Sequence, residues 1–151
     1  MLDLSIKTTA TPGTGDHRWL RTKDPSDWTV PVTVQAGLLQ ADVHYDANGV
    51  IPSGIPLGKI TATGKHGPYD PDAEDGRAVL AGFLLDPARL SYDFKGQTTT
   101  EFAGALLVLG LIETALLPVA VELNTHTPTT GQFVFVDVDY VAPEAPAGTG
   151  E

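Results

Sequence analysis

The most regular hydrophobic pattern in the chain lies near its C-terminal end. The stretch Phe133–Tyr140 reads FVFVDVDY. One face carries Val134, Val136, Val138 and Tyr140, and the other carries Phe133, Phe135, Asp137 and Asp139. Because side chains alternate between faces with a period of two along a strand, this stretch is predicted to be a β-strand.

A second alternating stretch, WTVPVTV, runs from Trp28 to Val34. It places Trp28, Val30, Val32 and Val34 on one face. Pro31 interrupts the other face, and proline cannot donate to a hydrogen-bond ladder. The pattern therefore predicts a strand at the edge of a sheet or at a bulge.

The central segment, Val50–Leu85, contains two apolar runs that flank a polar loop. The runs are Ile55–Ile60 and Arg77–Leu85, and the loop between them is rich in Gly, Pro and acidic residues. Proline fixes φ and glycine permits positive φ, so this spacing favours short strands and tight turns over helices. Asp46–Gly49 just before it contains Asn-Gly, a strong turn signal, and Val43–Tyr45 is a candidate short strand.

The segment Phe102–Val121 is apolar enough to require a membrane test. It is long enough to span a bilayer, but Glu113 lies in its middle and Pro118 interrupts it. A buried strand followed by a turn is expected instead. Periodicity does not distinguish strand from helix over residues 102–117, and a short helix before Pro118 fits within Leu111–Leu117.

The two ends of the chain differ in composition from its middle. Residues 1–24 are rich in Thr, Gly, Asp and Lys and are predicted to form an extended N-terminal arm, with an isolated apolar triple at Leu2, Leu4 and Ile6. Trp19 and Trp28 bracket the end of the arm and either cover the domain core or anchor a binding surface. Residues 25–142 are predicted to form one β-rich domain, and residues 143–151 a flexible tail.

Composition agrees with a single β-rich domain and argues against several functions. The 151 residues include 16 Gly and 12 Pro, which favour a loop-rich β fold. The net charge of −10 argues against nucleic-acid binding, which needs clustered Lys and Arg. The chain has no cysteine, which excludes disulfides, thiolate catalysis and Cys-bound zinc. MLDLSIKTT lacks the pattern of a secretory signal, so none is expected.

No motif in the chain predicts catalysis, a cofactor or a metal site. Gly54–Thr61 has the wrong spacing for a phosphate loop, and Asp70–Gly76 places its glycine one position too late for an EF-hand. Asp137 and Asp139 share a strand face, but an emerging strand end explains the pair. The four histidines show no short ligand spacing, and no serine lies in a nucleophile-elbow context. The protein is therefore predicted not to be an enzyme.

The order of motifs in the central segment resembles the phage head (capsid) decoration proteins of the lambda type. The resemblance is carried by Val50–Gly58, Thr63–Asp70, Asp75–Ala78 and Ala81–Leu84, and Leu106–Pro118 is similar to a later element of that family. It covers about Val30 to Tyr140. The long Trp-bearing arm and the C-terminal tail depart from the family pattern.

The resemblance implies a mainly β, compact, β-tulip or barrel-like domain with little helix. It also implies a homotrimer that binds the major capsid protein at three-fold positions on the outer surface of the head and stabilises the shell against packaged DNA. Such a protein would reside in the host cytoplasm during assembly and on the virion afterwards, without nucleic acid or membrane as partners. Within this expectation, the capsid-binding residues are Leu2, Leu4, Ile6 and Trp19 of the arm.

Two alternatives of a different class stay open. One is a structural module of a phage tail or baseplate, and the other is a carbohydrate-binding β domain on a virion surface. Sugar binding requires exposed aromatic rings, for which the chain offers Trp19, Trp28, Tyr45, Tyr69 and Tyr92.

Overall fold

The computed structural model describes residues 17–22, 25–90 and 100–136. The predicted fold class is confirmed: this part of the chain is mainly β, with three short 3₁₀ turns as its helical content. The strands are β1 (Thr29–Gln35), β2 (Val50–Ile51), β3 (Pro56–Lys59), β4 (His66–Pro68), β5 (Leu80–Leu84), β6 (Ala88–Arg89), β7 (Glu101–Leu107), β8 (Leu109–Glu113) and β9 (Gln132–Val136). The 3₁₀ turns are Pro25–Trp28, Ala36–Leu38 and Thr114–Leu116.

Five strands form a small closed barrel in the order β1-β4-β3-β5-β7. β1 pairs with β7 in antiparallel register along its whole length, from Thr29 opposite Leu107 to Gln35 opposite Glu101. On its other side, β1 meets β4 in parallel at one position, Val34 opposite His66. The barrel is therefore closed at one end of β1 and open at the other.

The apolar run after the polar loop forms the most deeply buried strand, β5, whose five residues are all buried. β5 lies between β3 and β7. Gly82 allows this packing, because a Cβ there would collide with the carbonyl oxygen of Leu107. A strand covered on both faces carries a continuous apolar sequence, as Leu80–Leu84 does.

Residues 102–117, which the sequence left undecided, form β7, β8 and a 3₁₀ turn at Thr114–Leu116, just before Pro118. β8 pairs in parallel with β9 to form a separate two-stranded sheet. Within the described residues, no helix is long and apolar enough to cross a membrane. The segment is therefore a strand region followed by a turn, as expected, but it contains two strands and both are only partly buried.

The predicted C-terminal strand is present as β9, and its phenylalanine face turns inward. The rings of Phe133 and Phe83 meet edge to face at 5.1 Å, whereas Val134 on the opposite face is 62% exposed. Aromatic rings bury the largest apolar area, so they select the inner face. Asp137 and Asp139 lie outside the described residues, as does the predicted tail.

The turn predicted at Asp46–Gly49 is present. Gly49 has a φ of 74°, and the Asp46 carboxylate accepts hydrogen bonds from the amides of Asn48 and Val50. The short strand expected at Val43–Tyr45 is absent, because this segment forms turns with a single bridge from Ala41 to Tyr45. Val43 is 47% exposed, so burial of its side chain does little to favour a strand there.

Residues 17–22, which were expected to belong to the extended arm, pack against the domain. The Arg21 amide donates to the Leu111 carbonyl at 3.0 Å, and the Glu113 amide donates to the Trp19 carbonyl at 2.7 Å. Arg21 also forms an ion pair with the buried carboxylate of Glu113. Leu2, Leu4 and Ile6 lie outside the described residues.

Candidate interaction surface

The barrel is open on one side because β1 pairs with β7 along its whole length but with β4 at only one position. The Val108 amide donates to the Trp28 carbonyl at 2.9 Å, and the Ala105 carbonyl accepts from Leu85 on the far side of β7. Because bonded and non-bonded pairs alternate along an antiparallel ladder, the main-chain groups of Thr29 and Pro31 face away from β7. Within the described residues no strand lies on that side of them. This half of β1 is therefore a free strand edge.

A cleft of about 540 Å³ lies beside this edge, and we call it the β1 cleft. Its floor is aliphatic and is made by Val30, Val32, Val79, Ala81, Leu106 and Val108. Ala81 and Leu106 also belong to the main core cluster, so the floor continues the core to a place where the described residues leave Val30 and Val79 exposed. Val30 is 42% exposed and Val79 37% exposed.

The rim of the β1 cleft is polar and includes Lys59, Thr61, His66, Gly76 and Thr130. His66 is buried, and its Nδ1 has no hydrogen-bond partner among the described residues. Burial lowers the pKa of His66, and the nearby Lys59 ammonium lowers it further, so the imidazole is neutral at pH 7. Within the described part of the chain, Lys59 forms no ion pair.

The polar loop of the central segment fixes one wall of the β1 cleft. Gly76 has a φ of 111°, and a Cβ there would collide with Thr61 and the Lys59 carbonyl. Beside it, Arg77 Nε donates to the Asp75 carboxylate at 2.9 Å, and this hydrogen bond lowers the pKa of Asp75. The acidic loop is therefore held by the contact between Arg77 and Asp75, and Gly76 allows it to approach Lys59 and Thr61 closely.

A second exposed apolar surface lies on the outer face of the β8–β9 sheet. Leu111 and Val134 are paired neighbours there, and they are 36% and 62% exposed. Thr22 and Leu109 lie beside them along a shallow depression. This outer face and the β1 cleft are two places where the described domain exposes adjoining aliphatic residues on a strand framework.

Trp19 is the one predicted capsid-binding residue that the structure describes, and its ring is 1% exposed. It packs against Phe83, with ring centroids 5.5 Å apart, and its indole N–H donates to Ser53 Oγ at 3.1 Å. Ser53 in turn donates to the Leu85 carbonyl. Of the two interpretations offered for Trp19, the structure supports the one in which it covers the core.

The other polar candidates are either dispersed or engaged in local contacts. His17 Nε2 lies 2.8 Å from the Leu85 carbonyl oxygen, and the Gln40 amide donates to His44 Nδ1 at 2.9 Å. The Asp70 carboxylate accepts from the Asp72 amide. Over the ranges that the structure describes, no group of three or more His, Asp or Glu side chains is placed to hold a metal ion.

Reasoning from sequence missed the β1 cleft, although its signal was present. The alternating face of β1 was identified in full, but its pattern does not tell which end of the strand has a neighbour. Pro31 was the available clue, because proline is tolerated where a strand edge is free. No protein-family model, curated protein or solved structure matches this chain.

Proposed function

We propose that the protein is a capsid decoration protein, which binds the outer surface of a phage head as a homotrimer and stabilises the shell. The observation that carries this proposal is the exposed aliphatic surface on the outer face of the β8–β9 sheet, where Leu111 and Val134 adjoin. Adjoining apolar residues exposed on a rigid framework mark protein–protein contact sites.

The charge of the protein supports a position on the outside of the head. With a net charge of −10, the chain would be repelled by packaged DNA on the inner side of the shell. An acidic outer layer also keeps particles apart in solution. The resemblance of Val50–Leu85 to the decoration family adds the identity of the partner, the major capsid protein.

Assembly into a trimer would make use of the outer face of the β8–β9 sheet. In a three-fold ring each interface joins two different patches, so Leu111 and Val134 of one copy would meet another surface of the next copy. Three linked contacts raise the affinity for a shell well above that of one subunit. A modest contact per subunit is therefore sufficient for stable decoration.

In this proposal the N-terminal residues Leu2, Leu4 and Ile6 attach the trimer to the capsid. An alternating apolar triple is suited to adding a strand to a sheet of the major capsid protein, with main-chain hydrogen bonds giving attachment and side chains giving register. Trp19 is not part of this attachment, because its ring is needed in the core of the domain.

The test is cosedimentation of the purified protein with mature and with immature heads that lack decoration. We expect saturable binding in multiples of three copies, and we expect particles with bound protein to resist heating or chelator treatment better than bare ones. The matched variant is Leu2→Asp/Leu4→Asp/Ile6→Asp, which should remain folded and lose binding.

Two results would contradict the proposal. The first is no binding to either type of head at micromolar concentration while the protein is trimeric. The second is full occupancy by the triple aspartate variant, which would remove the arm from the attachment. Binding to purified tails or to a glycan array instead would support the tail module or the carbohydrate-binding domain.

A further inference from the structure

The β1 cleft is an incomplete part of the barrel. Part of its floor belongs to the main core cluster. Among the described residues, the main-chain groups of Thr29 and Pro31 at its edge have no neighbouring strand, and the buried Nδ1 of His66 has no hydrogen-bond partner. An extended segment placed here would cover the aliphatic floor with its apolar side chains. Its main chain would also form hydrogen bonds with the edge of β1.

One segment of this chain outside the described residues has the matching pattern. If this segment is extended, Leu2, Leu4 and Ile6 would share one face, and this face would lie on the aliphatic floor. Asp3 would then lie on the opposite face, and its charge complements that of Lys59, the rim ammonium without an ion pair among the described residues. Pro31 offers a carbonyl but no N–H, so the entering segment would donate at that position.

The described chain begins close enough for this segment to reach the cleft. His17 contacts the Leu85 carbonyl, the Leu85 amide bonds to Ala105, and Ala105 is the register partner of Pro31. Two strand spacings therefore separate Leu85 from β1, or about 10 Å, and the side chain of His17, which reaches Leu85, adds its own length to this path. The ten residues between Ile6 and His17 span up to about 33 Å when extended.

We infer that Leu2–Ile6 docks in the β1 cleft of its own chain and completes the barrel beside β1. This inference does not rest on the proposed function, because it concerns the isolated protein. The short connection makes docking within one chain more favourable than docking onto a second copy, since it holds the segment at a high effective concentration. If the protein decorates capsids, the same residues must leave the cleft when they bind the shell.

A pair of introduced cysteines tests this placement, because the natural chain has none. In Leu4→Cys/Val30→Cys, mild oxidation should give a disulfide within one chain. The matched control is Leu4→Cys/Val43→Cys, since Val43 is 47% exposed, close to the 42% of Val30, and lies outside the cleft. We expect the Val30 pair to close at least about tenfold faster than the control.

Equal rates for the two pairs would overturn the inference. So would a disulfide that joins two chains and forms faster at higher protein concentration, because the occupant would then be a second copy. Both outcomes are read on a denaturing gel without reductant, on which a disulfide between two chains migrates at twice the chain mass of 15.9 kDa.

A second measurement uses the reactivity of a single thiol at position 30 and changes only the N-terminal segment, not the other residues of the barrel. The single thiol of Val30→Cys should react slowly with a maleimide, and adding Leu2→Asp/Leu4→Asp/Ile6→Asp should raise its rate about tenfold or more. The thiol of Val43→Cys should react at the same rate with and without the three aspartates. A Val30→Cys thiol whose rate does not respond to the aspartates would show that the segment does not cover the cleft.

Discussion

Glycine positions determine how closely the strands of this barrel approach one another. A Cβ at Gly82 in β5 would collide with the Leu107 carbonyl, and a Cβ at Gly58 in β3 would lie only 2.6 Å from Arg77 Cα. A Cβ at Gly37 would have no other atom within 4 Å apart from its chain neighbours. The same residue type is thus required at two of these sites and replaceable at the third.

Gly82→Ala should reduce the free energy of unfolding by about 3 kcal/mol, because the added methyl group must push two strands apart. Gly37→Ala is the control, and we expect a change within about 0.5 kcal/mol there. Urea denaturation of both variants measures the difference. A Gly82→Ala protein as stable as the Gly37→Ala protein would contradict the close approach of β5 and β7.

The histidines His66 and His44 should make the protein less stable in mild acid. Burial lowers the pKa of both below the ordinary value of 6.5, and for His66 the Lys59 ammonium adds to the effect. The unfolded chain therefore binds protons more readily, so the free energy of unfolding falls as the pH drops through and below 6.5.

Urea unfolding at about pH 7.5 and about pH 5.5 tests this dependence. His66→Gln should show a smaller difference between the two conditions, with His44 accounting for the remainder. The lowered pKa of Asp75 acts below its ordinary value of 3.8, outside this interval. An unchanged pH dependence in His66→Gln would show that His66 does not contribute.

At the scale of elements, residues 17–22 are part of the domain and not of an arm. Their main chain bonds to β8, and Trp19 fills a space between Phe83 and Ser53. Removing the whole of the predicted arm, residues 1–24, would therefore remove core as well as any attachment segment. A truncation that tests attachment must end before His17.

The two tryptophans should respond very differently to truncation. Trp19→Ala leaves a large cavity and removes the hydrogen bond that Ser53 Oγ accepts from the indole, and it should cost about 3–5 kcal/mol. Trp28, which is 46% exposed, lies in the 3₁₀ turn before β1, and Trp28→Ala should cost about 1 kcal/mol or less. Thermal or urea unfolding measures both, and similar losses would contradict the placement of Trp19 in the core.

Several elements were predictable because their patterns are local. The alternation in β1 and β9, the turn at Asp46–Gly49 and the buried run of β5 follow from periodicity and from turn residues. Residues 102–117 stayed undecided since apolar residues on every face suit a buried strand and a buried helix equally. Val43–Tyr45 is not a strand, because such a short segment needs a neighbouring strand to pair with, and among the described residues it has only the bridge from Ala41 to Tyr45.

The candidate surface was harder to predict than the strands that form it. The β1 cleft depends on where β4 stops pairing with β1, and this is set by residues more than thirty positions apart. The inner face of β9 was likewise decided by a distant contact, from Phe133 to Phe83. Such pairings are properties of the whole fold, and no short window of sequence contains them.

At the scale of the whole molecule, the proposed trimer makes a prediction about the β8–β9 sheet. Val134→Asp places a charge on its exposed outer face and should dissociate the assembly to monomers of about the chain mass, 15.9 kDa. The control is Val43→Asp, at a comparably exposed valine in a turn. Light scattering at micromolar concentration measures both.

A natural protein that is already monomeric under these conditions would contradict trimer formation itself. A trimer that persists in Val134→Asp would instead move the contact to another face of the domain. The two results are separable because the first is seen without any substitution.

Pro31 should protect the protein from edge-to-edge aggregation at high local concentration. A sheet left open along one side is a template onto which identical sheets can add one after another, ending in fibres. An imide nitrogen in the middle of that side removes a donor and spoils the repeat for any incoming copy, while a single short peptide is still tolerated. Many copies held side by side on one large particle would thus stay separate.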